Sequence, residues 1–153
     1  METLKMMLVD DEKRFLETTR KLLNKKGYDA VTAESGAQAL EMLRTEPVHV
    51  VILDVKMPGM DGNAALKKIK RLFPMIEVIM LTGHATVESA IDGLKSGACD
   101  YMMKPADIGE IIQKAEEAYA RRRQLESRIR EAQMRKIMGS PNVRHLLRRN
   151  GPP

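Results

Sequence analysis

Val48-His49-Val50-Val51-Ile52-Leu53 is a largely apolar, β-branched run that ends abruptly in an acid, Asp54. A strand covered on both faces reads as such a continuous run, whereas a half-exposed strand alternates. His49–Leu53 therefore reads as a buried strand, and a buried strand rarely ends in a carboxylate without reason. Four further runs share the pattern: Lys5–Val9, Ala30–Ala33, Val78–Leu81 and Cys99–Met102. Between them the apolar residues take helical spacing. Phe15, Leu16, Leu22 and Leu23 precede Gly27, and Ala37, Leu40 and Leu43 precede Pro47. Ala65, Leu66, Ile69 and Leu72 precede Pro74, and Val87, Ala90, Ile91 and Leu94 precede Gly97. Gly27 and Gly97 suit the left-handed residue that closes a helix. Ser35, Asp61 and Thr86 suit N-terminal caps.

Five strands alternating with five helices predict an α/β fold, a doubly wound parallel sheet with right-handed crossovers and helices on both faces. Ligands of such sheets bind beyond the carboxyl ends of the strands, where strand order reverses. The residues at those ends are Asp10-Asp11-Glu12, a turn after Ala33, Asp54, Thr82 and Lys104-Pro105. Three carboxylates in one crevice repel one another unless a cation neutralises them. A hard divalent ion with oxygen ligands does so, and magnesium favours a few carboxylates plus waters and phosphate oxygens. Phosphoryl transfer uses the same parts: a carboxylate nucleophile, a bridging metal, and fixed cationic or hydrogen-bonding groups. Singly these residues say less. An Asp pair can simply cap a helix, threonine is common at strand ends, and Pro105 can open the last helix. Together, at the ends of different strands of one sheet, they form a coherent site.

The segments Leu8-Val9-Asp10-Asp11-Glu12, Leu53 to Gly62, Leu81-Thr82-Gly83-His84 and Asp100-Tyr101-Met102-Met103-Lys104-Pro105 resemble those of bacterial response-regulator receiver domains. The resemblance covers about residues 4–120 and is closest in style to receivers of nitrogen-regulation-type activators. It implies the flavodoxin-like strand order 2-1-3-4-5 and phosphorylation-dependent signalling in a two-component system. It implies that Asp54 is the phosphoacceptor, served by a sensor histidine kinase, and that Asp10, Asp11 and Asp54 hold Mg2+ (or Mn2+) with the Lys56 carbonyl. Lys104 would contact the phosphoryl oxygens. Thr82 would swing its hydroxyl onto the phosphoryl group, and Tyr101 would turn inward behind it. Pro58 and Gly59 would shape the loop after the site, and Gly62 would open the third helix. Gly83 is a mild departure, standing where the family often has Ala or Ser. Lys56 and His84, two residues beyond Asp54 and Thr82, are expected to border the phosphoryl group and to tune its lifetime.

The composition supports one domain with an extension. The chain has 153 residues, 43% of them hydrophobic, enough for a core without disulfides. Its single cysteine, Cys99, is expected to be a small buried core residue. No run reaches the roughly 18 apolar residues of a membrane span, and the start lacks a signal-peptide layout. A soluble cytoplasmic protein is expected. The net charge of +5 is unevenly placed. Arg121, Arg122, Arg123, Arg128, Arg130, Arg135, Lys136, Arg144, Arg148 and Arg149 face only Glu126 and Glu131, so the residues before Arg121 are net acidic.

From Asp107 to about Met138 the only helix-weakening residue is Gly109, so the last helix should continue past the receiver. Ile108, Ile111, Ala115, Ala118, Leu125, Ile129 and Ala132 keep a heptad-like register, broken by Arg122 and Lys136. The expected organisation is a receiver over 1–120, a helical extension over 121–138 and a flexible basic tail over 139–153. The extension is either a weak dimeric coiled coil or a single solvated helix, and a homodimer is expected through it or through the face of the fourth helix, fifth strand and fifth helix. Direct nucleic-acid binding is not expected: no reading module fits the tail, and it lacks aromatics for stacking. An aspartyl-phosphate phosphatase is the rival function. Such hydrolases usually carry a second acid two residues after the nucleophile, where this chain has Lys56. Self-catalysed phosphoryl acceptance and autodephosphorylation are therefore the only chemistry expected. A phosphorylation-independent binding protein is the third reading, and the acidic triad argues against it. The kinase, stimulus and output target are not legible, nor is whether this is a lone receiver or part of a larger regulator.

Overall fold

The computed structural model describes residues 3–57, 59–83 and 86–139. Pro58, His84 and the basic tail from 140 onward lie outside the described residues. The elements alternate as β1 (Lys5–Val9), α1 (Lys13–Lys25), β2 (Asp29–Ala33), α2 (Gly36–Leu43), β3 (Val50–Leu53), α3 (Gly62–Leu72), β4 (Glu77–Thr82), α4 (Val87–Lys95), β5 (Asp100–Met103) and α5 (Ile108–Met138). All neighbouring strands are parallel, in the order β2-β1-β3-β4-β5. The expected doubly wound fold is present.

Strand alternation divides the core between two faces. Met7, Val9, Val51, Leu53, Val78 and Met80 point to one side, where Ala39 and Leu43 of α2 and Ala65, Leu66 and Ile69 of α3 cover them. Met6, Leu8, Val50, Ile52, Ile79 and Leu81 point to the other, beneath Leu16 and Leu23 of α1 and Ile111, Ala115 and Ala118 of α5. Both faces of the central strands are apolar because both are covered. The helix signals also behave as read. Ser35, Asp61 and Thr86 cap α2, α3 and α4, and Thr86 forms a reciprocal capping box with Ser89. Gly27 and Gly97 take positive φ of 91° and 111°.

Several expectations need correction. β5 is an edge strand, so Asp100 and Tyr101 are half-buried and Met103 is exposed. Cys99, just before it, is half-buried rather than buried. On α4 the predicted apolar face does not point inward: Val87, Ile91 and Leu94 are exposed, and the buried residue is Gly93. The helix rests on its smallest side chain, where a Cβ would stand 3.5 Å from Met80 and 3.9 Å from Tyr101. On α5 the heptad register divides between two uses. Ile111, Ala115 and Ala118 are buried in the receiver's own core, whereas Leu125 and Ile129 are exposed.

The chain separates into two compact units, Met1–Ala120 and Arg121–Pro153. Within the described part of the second, Arg122 pairs with Glu126 at 2.7 Å along the helix, and Met134, Ile137 and Met138 are exposed beside Leu125 and Ile129.

Gly62 is required by close approach rather than by its dihedral angles. A Cβ there would lie 2.2 Å from the Asp54 carbonyl oxygen and 2.5 Å from the Val55 Cα. The gap lets the Gly62 N–H donate to the Val55 carbonyl at 2.7 Å, tying the start of α3 to the end of β3. Gly62→Ala must push these backbones apart. The expected loss is about 3 kcal/mol, read by urea denaturation. An unchanged midpoint would show that the junction yields freely.

Candidate functional site

Parallel register brings the site together. The Val9–Leu53 pairing sets the ends of β1 and β3 side by side, so Asp10 and Asp54 follow at neighbouring positions. Their backbones are fixed by the ladder, the Asp10 N–H donating to Ala33 O at 3.2 Å and the Asp54 N–H to Val9 O at 2.9 Å. Thr82 ends β4, and its carbonyl accepts the Lys104 N–H at 2.9 Å. The Lys104–Pro105 peptide is cis.

Asp10, Asp54 and Thr82 are buried at these strand ends, and Asp11 is exposed. One oxygen from each of Asp10, Asp11 and Asp54 lies within 4.8 Å of the others. Asp10 Oδ1 accepts the Glu12 N–H at 2.9 Å, and Asp10 Oδ2 accepts Lys104 Nζ at 2.5 Å. Lys104 Nζ also stands 4.0 Å from Asp54 Oδ2. The Lys56 backbone N–H and the Thr82 hydroxyl both favour the charged form of Asp54. Asp11, Asp54 and Lys104 face a cavity of about 240 Å³, lined also by Glu12, Lys56 and Gly83. A second hollow of about 400 Å³ adjoins it, lined by Asp11, Val55, Lys56, Met57, Asp61 and Asn63.

The charges explain each other. Burial, reinforced by the charge of Asp10, raises the Asp54 carboxyl above its ordinary value; Lys104, the Lys56 N–H and Thr82 oppose this without cancelling it. Burial works against the Lys104 ammonium, yet the hydrogen bond and charge of Asp10, with Asp54 and Glu12, outweigh it and hold Lys104 above the ordinary lysine value. One lysine thus serves two acids. The donor set fits a hard divalent cation: three carboxylates within reach of one point and short of positive charge.

Of the other predicted residues, Tyr101 is half-buried and its hydroxyl lies 3.3 Å from Ser89 Oγ. The Lys56 side chain is exposed. Sequence reasoning missed three contacts. Ser89 was legible as the third residue of the Thr86 capping box, but its pairing with Tyr101 was not. The tight spot at Gly62 depends on how α3 approaches β3. Phe15 was read only as a core residue of α1, yet Lys104 Nζ lies 4.3 Å from its ring centroid.

A doubly wound domain with an acidic, lysine-bearing crevice at the carboxyl ends of its strands is built to manage negative charge with a cation. Its relatives identify the class more narrowly. Residues 6–116 match the model of the response regulator receiver domain, and the chain belongs to that family of two-component signalling domains. It is 36% identical over 149 residues to the transcriptional regulatory protein ZraR of Escherichia coli, covering 95% of this chain and 34% of that one. It is 39% identical over 111 residues to the DNA-binding transcriptional regulator NtrC of Escherichia coli, covering 72% and 24%. The chain thus spans about a third or less of the length of these curated relatives. Among solved structures, a CheY-like receiver domain protein from Methanospirillum hungatei superposes with a TM-score of 0.77 at 28% identity, covering 80% of this chain and 98% of that one. The receiver domain of NtrX from Brucella abortus gives 0.71 at 31% identity, covering 75% and 98%. The protein is a phosphorylation-dependent signalling domain.

The raised Asp54 carboxyl gives a signed pH dependence. The folded state holds this proton more tightly than the unfolded chain does. The group's stabilisation is therefore complete below the ordinary aspartate value and lost as pH rises through the folded value. In chelator at neutral pH, Asp54→Asn should raise Tm by on the order of a few degrees, and the gain should shrink as pH falls toward 4. Thermal unfolding followed across a pH series tests this; a gain independent of pH would contradict the assignment.

Proposed function

We propose that Asp54 is the phosphoacceptor of this receiver, taking its phosphoryl group from a sensor histidine kinase. The single observation that carries the reading is the convergence of Asp10, Asp11 and Asp54 within 4.8 Å beside Lys104. In the step, an Asp54 carboxylate oxygen attacks phosphorus, and the P–N bond to the kinase imidazole breaks. The imidazole nitrogen keeps the electron pair. Asp10, Asp11, Asp54 and the Lys56 carbonyl would hold Mg2+, or Mn2+ in its place. Bound there, the ion would supply positive charge to neutralise the crevice and to stabilise charge on the phosphoryl oxygens. Lys104, already between Asp10 and Asp54, is available to a phosphoryl oxygen.

Phosphorylation replaces the single charge of the Asp54 carboxylate with a phosphoryl group carrying about −1.5 to −2 charges and three strong acceptors. The Thr82 hydroxyl, which favours the charged form of Asp54, would turn to donate to the phosphoryl group. Tyr101, whose hydroxyl faces Ser89, would then turn inward. The exposed row Val87, Ile91 and Leu94, with Met103 on β5, is the surface this change would alter. A ligand shifts such an equilibrium only through its different affinity for the two states.

Residues 1–120 act as the receiver, 121–138 as a helical extension and 139–153 as a basic tail. The protein works in the cytoplasm. Among the described residues, no helix is long and apolar enough to cross a membrane. It turns over no outside substrate, since Lys56 occupies the place of a second catalytic acid. It forms a homodimer through the extension or the α4-β5-α5 face, and makes no direct functional contact with nucleic acid.

Two measurements test these readings. Incubation with a small phosphodonor and Mg2+ should add one phosphate to the intact mass of the wild type and none to Asp54→Asn. Equal adducts on both would sink the site assignment. Sedimentation with a stable phosphoryl mimic should give the dimer mass, and a persistent monomer would remove the dimer from the account.

A further inference from the structure

We propose that Phe15 is a positioning residue for Lys104, holding the ammonium at the phosphoryl site through the face of its ring. This rests on the proposed role of Lys104 toward phosphoryl oxygens. Lysine carries its charge on a flexible four-carbon stem, with no planar geometry to orient it. Something must therefore fix where the ammonium sits. Among the described residues it has three attachments: Asp10 at 2.5 Å, Asp54 at 4.0 Å and the Phe15 ring at 4.3 Å to the centroid.

The first two are carboxylates of the proposed metal set. Their charges are the ones a bound cation neutralises and, at Asp54, the one the phosphoryl group covers. An attachment made only of these would weaken just when Lys104 is needed. The ring is different in kind. Its attraction for a cation comes from the fixed quadrupole of the π system and acts within about 6 Å of the centroid. It does not change with metal or phosphate. Phe15 is itself held in place, half-buried in α1 against the core cluster that contains Leu16, Leu8 and Met102. The neighbouring Leu16 is 3% exposed, so this turn of α1 is fixed to the sheet.

The ring also separates the ammonium from solvent on the side it covers. The Lys104 side chain is 17% exposed, low for a lysine at the mouth of a crevice. Leucine in place of Phe15 would keep an apolar side chain there but would supply no cation-binding face.

The experiment uses the full chain and two readouts. In metal-free protein, NMR should show the Lys104 side-chain methylene protons displaced upfield by the ring current. Phe15→Leu should abolish that displacement, and Phe15→Tyr should keep it. With a small phosphodonor and Mg2+, Phe15→Leu should accept phosphate about three- to tenfold more slowly, and Phe15→Tyr near the wild-type rate. In a Lys104→Met background the Phe15→Leu change should have no further effect, because the two act as one unit. Lys104 resonances unmoved by Phe15→Leu overturn the proposal, as does a rate loss of equal size with or without Lys104. If the wild type accepts no phosphate on Asp54, the reading of the site falls instead, and the NMR arm alone decides whether Phe15 holds Lys104.

Discussion

The pairing of Lys104 with Asp10, in sight of Asp54, is the interaction on which the rest of this structure depends. Two acids buried at adjacent strand ends would repel strongly in a poorly solvated crevice, and one ammonium between them limits that repulsion. It does not remove it, as the raised carboxyl of Asp54 shows. The remaining imbalance leaves the crevice with more carboxylate than positive charge. The same imbalance makes the site a source of instability in the bare protein, which the apolar layers on both sheet faces must offset.

Backbone geometry keeps the charges where they act. Asp10, Asp54 and Thr82 each directly continue or end a strand, so their positions follow from the ladder rather than from loop conformation. The loop after Asp54 is pinned by the close approach of Gly62 to the Asp54–Val55 backbone. Lys104 is the exception, a long side chain reaching back from β5, and it is the group that gains most from an independent anchor such as the Phe15 ring.

The helices divide their labour less evenly than their patterns suggest. α1 and the first turns of α5 bury apolar rows as an amphipathic helix should. α4 does not. It meets the sheet through Gly93 and turns Val87, Ile91 and Leu94 outward, next to the exposed Met103. Tyr101 on β5 is tied to that helix by Ser89, which is also part of the helix's N-terminal cap.

Much of this was legible before any coordinates. Continuous apolar runs announced strands covered on both faces, and their spacing with helical segments led to the doubly wound sheet. Asp54 at the end of such a run, with Asp10, Asp11, Thr82 and Lys104 at the other strand ends, located the crevice, because parallel strands deliver their carboxyl ends to one side. Caps and helix-closing glycines were equally local, since each depends on a few neighbouring backbone groups. What only the tertiary structure decided was contact between elements distant in the chain. The Phe15 ring beside Lys104, the gap that requires Gly62 and the Ser89–Tyr101 pair all depend on how helices dock on the sheet. The outward face of α4 belongs with them: periodicity shows that a helix has an apolar side, but a glycine small enough to pack closest determines which side meets the core.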